Sequence, residues 1–311
     1  MYVIKMKTLI CYFAVFVLIV TGIGMTKIYG DPTAESSSAA LAEQQQPTAG
    51  NTAGLQEDDA LYAAREKAVR VPILMYHSIC KNGGRTGKYI ISEADFEADL
   101  KYISENGYTT VVMQDLIDYV DKGKPLPEQP IILTFDDGYF NNYFYAFPLL
   151  EKYNAKAVLS IIGYYTDLYT KSPDENPAYS HVTWNDINRM IESGRMELQN
   201  HSYNLHTTDK GRNGSKRKRG ESLDAYKKML TEDLGKLQDD FRQNTGYIPT
   251  TYTYPFGSVS NDSFEIIKEM GFRASLSCES GMNRVTRDPE CLYMMKRFIR
   301  TPGKSAAAIL K

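Results

Sequence analysis

The sequence predicts an α/β protein built on a parallel sheet, open or closed. Strand and helix patterns alternate from Val71 to the C-terminus, which argues for parallel strands joined by helical crossovers. Gly107, Gly194 and Gly271 each follow a helical pattern and precede an aromatic or apolar strand start, the place of a C′ glycine in a helix-to-strand connection. The residues that carry chemistry fall at the C-terminal ends of the expected strands, where active sites collect in barrels.

The expected strands are Val71–Tyr76, Tyr108–Met113, Pro130–Phe135, Lys156–Ile162, Met196–Asn200, Thr251–Tyr254, Phe272–Ser277 and a last one near Met294–Ile299. Ser92 is placed to cap a helix whose apolar face carries Phe96, Leu100 and Ile103. A longer helix carries Tyr226, Leu230, Leu234, Leu237 and Phe241 at helical spacing.

The N-terminus reads as a targeting segment. Lys5 and Lys7 precede an apolar run from Leu9 to Met25, and Lys27 follows. The run approaches the ~20 residues that a membrane helix needs, and no A-x-A cleavage site follows it. We expect a signal anchor over residues 1–30 with a cytoplasmic N-terminus, and a cleaved signal peptide is the alternative. Residues 31–65 form an aperiodic linker rich in Ala, Ser, Gln, Thr, Gly and Pro, with a typical span of about 30 Å. Residues 66–311 are then the folded domain, outside the membrane.

The 311 residues carry a net charge of −2, which argues against a nucleic-acid partner. Of the four cysteines, Cys11 lies in the apolar run; Cys80, Cys278 and Cys291 remain, without metal-site spacing. A Cys278–Cys291 disulfide is one option.

Two motifs carry the functional reading. In Thr134-Phe135-Asp136-Asp137-Gly138-Tyr139, two adjacent carboxylates sit where a buried strand gives way to a glycine turn. Alternation would send them to opposite faces, but a turn can aim both into one pocket. There they repel unless a cation or a proton separates their roles. One as metal ligand and one as general base is an economical division. Taken alone, Asp-Asp-Gly could be a polar turn ending a strand. The second motif is His201-Ser202-Tyr203-Asn204-Leu205-His206, at the end of the short strand Met196–Asn200, and it holds two of the four histidines. On a helix a spacing of five would set them roughly 140° apart, so they converge only from a strand-to-loop turn. Imidazole plus carboxylate suits Zn²⁺ and related divalent metals.

At these residues the chain resembles the polysaccharide deacetylase family, also called the NodB-homology domain or carbohydrate esterase family four. Thr134–Gly138 matches its first motif. His201 to His206 matches its second with one extra residue, similar to the branch acting on poly-N-acetylglucosamine. Tyr254-Pro255-Phe256-Gly257 matches the core of its third. The resemblance covers roughly residues 71–300 and implies a distorted (β/α)7 barrel. It also implies one divalent ion, Zn²⁺ with Co²⁺, Ni²⁺ or Fe²⁺ as alternatives, held by Asp137, His201 and His206. Asp136 is the implied general base, and the Phe256 backbone N–H an oxyanion donor.

The implied reaction is hydrolysis of N-acetyl groups on an N-acetylglucosamine-containing cell-surface polymer. The rivals are an O-acetyl esterase and an inactive, membrane-tethered glycan-binding module.

Two departures stand out. Many members carry Arg two residues before the motif's Pro, paired with the base; Thr253 stands there, so Asp136 is expected to lack that partner. Many also carry a C-terminal histidine as general acid, and no histidine follows His206. His77, at the end of the first expected strand, is the candidate replacement. His181, before Trp184 at a helix start, reads as structural. Tyr139, Tyr143, Tyr164 and Tyr165 are available to stack on sugar rings. The basic stretch from Lys210 to Arg219 reads as a solvated insertion or a patch for an anionic polymer.

Overall fold

In a computed structural model, residues 68–311 are described. The expected anchor (1–30) and the expected linker (31–65) lie outside them. No helix among the described residues is long and apolar enough to cross a membrane.

The first third of the fold comprises β1 (Val69–Val71), β2 (Ile73–Tyr76), β3 (Ser78–Cys80), β4 (Ile90–Ser92), α1 (Glu93–Glu105), β5 (Thr109–Thr110), α2 (Met113–Lys122) and β6 (Pro130–Phe135). Next come a π-helical turn (Asn142–Ala146), α3 (Phe147–Lys152), β7 (Ala157–Ile161), α4 (Gly163–Lys171), α5 (Trp184–Glu192), β8 (Met196–Asn200) and α6 (Leu223–Thr245). The last part is β9 (Thr251–Thr253), α7 (Ser263–Glu269), β10 (Ala274–Leu276), β11 (Asn283–Val285), β12 (Phe298–Ile299) and α8 (Ala306–Leu310).

Seven strands pair in the order β10-β9-β8-β7-β6-β2-β12, every pairing parallel. Between the two end strands an isolated parallel bridge joins Leu276 to Met295. The curled sheet is thus the distorted (β/α)7 barrel that the family resemblance implies. The apolar runs of β2, β6 and β7 are buried at every position because both faces of a parallel sheet are covered.

Local signals act as their chemistry requires. Ser92 Oγ accepts the Asp95 N–H, and the Asp95 carboxylate accepts the Ser92 N–H, a reciprocal cap on α1. Phe96, Leu100 and Ile103 are buried beneath it. The five apolar residues of α6 are fully buried. Gly107, Gly194 and Gly271 have φ of 77°, 67° and 90°, which a glycine adopts without steric cost.

The strand expected over Tyr108–Met113 is shorter, Thr109–Thr110, and Met113 already starts α2. Carboxylates make that switch. Asp115 accepts the Val112 N–H, while Glu197 from β8 accepts those of Met113 and Gln114. Burial pushes the Glu197 carboxyl up to about 7, with the hydrogen bond from Gln199 pulling the other way. Likewise, of the region near Met294–Ile299 only Phe298–Ile299 is strand, since Met294 has φ of 57°.

The two ends of the domain are locked by a buried ion pair. Asp99 on α1 accepts from Arg300 Nε at 2.5 Å, from the Tyr76 hydroxyl and from the Ala306 N–H that starts α8. Asp99→Ala leaves the buried Arg300 charge with only the half-exposed Asp95 carboxylate, 3.7 Å away. It should lower unfolding free energy by about 3–5 kcal/mol, measured by urea titration; a loss under about 1 kcal/mol would show that solvent reaches the pair.

Candidate functional site

Both aspartates enter one cavity because the backbone turns over between them. Asp136 continues β6, its N–H donating to the Tyr76 carbonyl. Asp137 then takes φ of 73° and Gly138 75°. A left-handed aspartate breaks strand alternation, so the second carboxylate does not flip to the far face. Gly138 has a second reason to be glycine: a Cβ there would stand 3.1 Å from the Ile161 side chain.

The two histidines converge through a similar device. Ser202, directly after His201, has φ of 86°. Its N–H donates to the Asn200 side chain and its hydroxyl accepts the Leu205 N–H. Asp233 of α6 accepts the N–H groups of Tyr203 and Asn204 and so holds the loop from outside. As a result His201 Nε2 and His206 Nε2 lie 3.4 and 3.3 Å from the same atom, Asp137 Oδ1. One donor atom from each of the three residues lies within 4.8 Å of the others.

This set fits a divalent ion. Asp137 Oδ1 is buried and has no hydrogen-bond partner. His201 Nδ1–H donates to the Thr253 carbonyl at 2.7 Å, which leaves the Nε2 lone pair facing Asp137. Burial and the neighbouring His201 push His206 down to about 4, so its imidazole stays neutral. Against burial, the neighbouring Asp137 and Asp136 carboxylates hold His201 above its usual value. A cation in the middle would replace that proton.

Asp136 is arranged differently, and here one expectation is corrected. It does not lack an arginine. Arg297, fully buried just before β12, grips it in two parallel bonds, Nη1 to Oδ1 at 2.7 Å and Nη2 to Oδ2 at 2.9 Å. Arg297 Nε donates to the Ser277 carbonyl and Nη1 also reaches Thr134 Oγ1, so the fork is held from below. Burial alone would raise the Asp136 carboxyl; the Arg297 charge outweighs it and holds the group well below the usual carboxylate range. Thr253 meanwhile pairs its hydroxyl with Ser160 at 2.7 Å.

Pro255, Phe256 and Gly257 form a tight turn after β9, with Phe256 at φ of 57°. The Gly257 and Ser258 N–H groups close it onto Tyr254 and Pro255. Pro255 has no N–H, so Phe256 supplies the turn's remaining donor. Its ring lies 4.1 Å from that of His206.

His77, Asp136, Asp137, His201, His206 and Phe256 all line one cavity of ≈ 650 Å³. His77 packs its ring 4.7 Å from Tyr89, and its Nδ1 is buried without a partner. Burial lowers its pKa against the pull of Asp136 and Asp137. His181 does not line that cavity. It sits among Tyr139, Tyr165 and Tyr169 and is pushed by burial down to about 4. Cys278 and Cys291 are both free, so the disulfide option is discarded. Cys278 turns toward Arg297 and Cys291 toward the Thr286 carbonyl.

The basic stretch is partly neutralised, since Arg212 pairs with Glu221 and Arg217 with Asp262. The loop also braces the site. The Gly214 N–H donates to Thr207, next to His206, and a Cβ on Gly214 would stand 2.7 Å from the Pro255 carbonyl.

Residues 123–275 match the family model described as polysaccharide deacetylase. YxkH of Bacillus subtilis (strain 168), which bears the polysaccharide deacetylase name, is 28% identical over 254 residues, 81% of this chain and 79% of that protein. The poly-β-1,6-N-acetyl-D-glucosamine N-deacetylase of Escherichia coli (strain K12) is 27% identical over 199 residues, 58% of this chain and 30% of that protein. The enzyme of that name from Staphylococcus aureus (strain MSSA476) is 25% identical, across 61% of this chain and 62% of that protein. The fold is similar to a de-N-acetylase from Aggregatibacter actinomycetemcomitans at TM-score 0.66 and 24% identity, covering 78% of this chain and 99% of that one. It is also similar to IcaB from Ammonifex degensii at TM-score 0.64 and 23% identity, covering 78% and 97%.

The Arg297–Asp136 pair generates a test of its own. Arg297→Gln strips the countercharge from a buried carboxylate and should cost about 3–5 kcal/mol of stability at pH 7. A carboxyl depressed in the folded state stabilises above its unfolded pKa and stops doing so as pH falls through the folded one. The gap between wild type and variant in urea titrations should therefore narrow toward acid pH. A gap that widened instead would mean that Arg297 does not hold Asp136 ionised.

Proposed function

We propose that this chain, which carries a polysaccharide deacetylase domain, is a metal-dependent de-N-acetylase. Its substrate is an N-acetylglucosamine-containing cell-surface polysaccharide, poly-N-acetylglucosamine before peptidoglycan. Residues 1–30 tether it to the membrane, and residues 31–65 let the catalytic domain work outside and close to it. The observation that carries the reading is the division between the two carboxylates. Asp137 Oδ1 is buried and unpartnered beside two imidazole nitrogens, while Asp136 is already neutralised by Arg297.

Asp137, His201 and His206 would hold one divalent ion, Zn²⁺ by the chemistry of its donors. When bound, such an ion lowers the pKa of water and polarises an amide carbonyl. The chain's own residues do the rest. Asp136 accepts the proton of the attacking water: its oxygens keep a free lone pair beyond the Arg297 bonds, and its charge is secured. The Phe256 N–H donates to the oxygen of the acetyl carbonyl as charge builds there, and loss of one such donor typically costs ~10²–10³ in rate. His77 lies across the same cavity and delivers, or orients, the proton that the leaving amine needs. Acetate leaves, and the sugar retains a free amine.

The direct test is acetate release from poly-N-acetylglucosamine, peptidoglycan and chitin oligomers, with metal-stripped and metal-restored protein. Release from the first should depend on about one divalent ion per chain, and His206→Ala should lose most of that ion. Asp136→Asn should retain metal and fold yet lose turnover. An active Asp136→Asn protein would sink the assignment of the base.

His77 is tested separately. His77→Ala should lower kcat by ~10²–10⁴-fold on amide substrates, with a smaller loss on an activated aryl acetate, whose leaving group needs no proton. Equal losses on both would assign His77 a structural role.

A further inference from the structure

Beside the catalytic cavity runs a line of aromatic rings that the chemistry above does not use. It begins at Tyr139, which lines the cavity. From there the ring centroids step 4.8 Å to His181, 4.4 Å from His181 to Tyr165, and 5.4 Å from Tyr165 to Tyr164. His181 and Tyr165 stack with their planes 17° apart. The line passes from buried to open: His181 is 8% exposed, Tyr165 37% and Tyr164 43%, and Leu168, about one turn further along α4, is 44% exposed.

This ridge is fixed to both catalytic loops. Tyr139 and His181 form an antiparallel bridge, flanked by Phe140 N–H to the Ser180 carbonyl and Val182 N–H to the Gly138 carbonyl. The turn that aims Asp136 and Asp137 therefore continues directly into the ridge. At its other end the Gly163 and Tyr164 N–H groups donate to the carbonyls of Ser202 and Tyr203, inside the loop between the two histidines. Exposed aromatics so anchored keep a set distance from the reacting atoms.

We propose that Tyr165 and Tyr164 form a subsite for the polysaccharide chain, binding sugar units next to the one whose acetyl group occupies the cavity. The proposal rests on the reading of the site as a glycan de-N-acetylase. Three features favour a sugar chain as the occupant. Tyrosine offers an apolar face for the C–H side of a pyranose and a hydroxyl for its polar edge. The ridge packs through His181 onto Tyr139 of the cavity wall. The two exposed rings, Tyr165 and Tyr164, stand 5.4 Å apart with their planes 75° to each other, so a bound chain can meet the face of one and the edge of the other. The enzyme then selects for polymer over short fragments by binding beyond the reacting unit.

The test compares the β-linked N-acetylglucosamine dimer and hexamer as substrates of wild type, the Tyr164→Ala/Tyr165→Ala double variant and the corresponding double Phe variant. The ratio of hexamer to dimer kcat/KM should fall by about tenfold in the Ala variant, through KM rather than kcat. The Phe variant, which keeps both rings, should keep most of the ratio. An unchanged ratio in the Ala variant overturns the proposal. So does an equal loss on dimer and hexamer, which would mean damage to the site itself. A change confined to lipid-vesicle binding or self-association would likewise overturn it and assign the ridge to a membrane or a second copy. If wild type releases acetate from no glycan, the de-N-acetylase reading fails separately. The ridge is then read from hexamer binding by calorimetry: weaker binding by the Ala variant supports the subsite, and equal binding removes it.

Discussion

Two carboxylates on consecutive residues, both buried in one cavity, are the constraint around which this domain is arranged. Neither can stay ionised there without a countercharge. The fold supplies two different answers a few ångströms apart. Asp136 receives a permanent one, the fully buried Arg297 fork. Asp137 faces two imidazole nitrogens, whose proton can give way to a cation. A guanidinium does not release its proton, so Asp136 rests as the anion, whereas the charge opposite Asp137 is exchangeable. The proposed difference in chemical role between two neighbouring and identical side chains rests on that asymmetry.

Backbone strain supports the arrangement. Of the six non-glycine residues with positive φ among the described residues, Asp137, Ser202 and Phe256 lie in the three loops that build the site. Strained torsions of this sort persist when the surroundings over-determine them. The surroundings here are specific: Asn200 and Asp233 on the histidine loop, the Ser160–Thr253 hydroxyl pair under it, and the Gly214 segment pressed against Pro255.

Much of this was legible in the sequence because it is local. The parallel sheet could be read from alternation and from three glycines, and its closure into a barrel from the family resemblance. The aspartates and histidines could be read from their positions just past β6 and β8. What escaped was the one partner supplied by ring closure. Arg297 lies 161 residues from Asp136, outside the residues that the family model matches, and its pairing depends on β12 coming to lie beside β2. A signal was present. Arg297 falls within a stretch expected as a buried strand, and an arginine in such a place requires a carboxylate. The residue expected to fill that role, at position 253, is a threonine whose carbonyl instead orients His201. The shortened strand at Thr109 escaped for a similar reason, since its end is fixed by Glu197 from a distant strand.

The late position of Arg297 has a consequence for how the protein comes into being. During synthesis Asp136 appears long before its countercharge, and so does Asp99 before Arg300, 201 residues later. Until the final segment arrives, the half-built sheet carries uncompensated negative charge at its heart. Contacts of such long range are slow to form, and chains that wait for them expose apolar surface meanwhile. A chain interrupted before Arg297 would have neither the countercharge of Asp136 nor the β12 strand that pairs with β2.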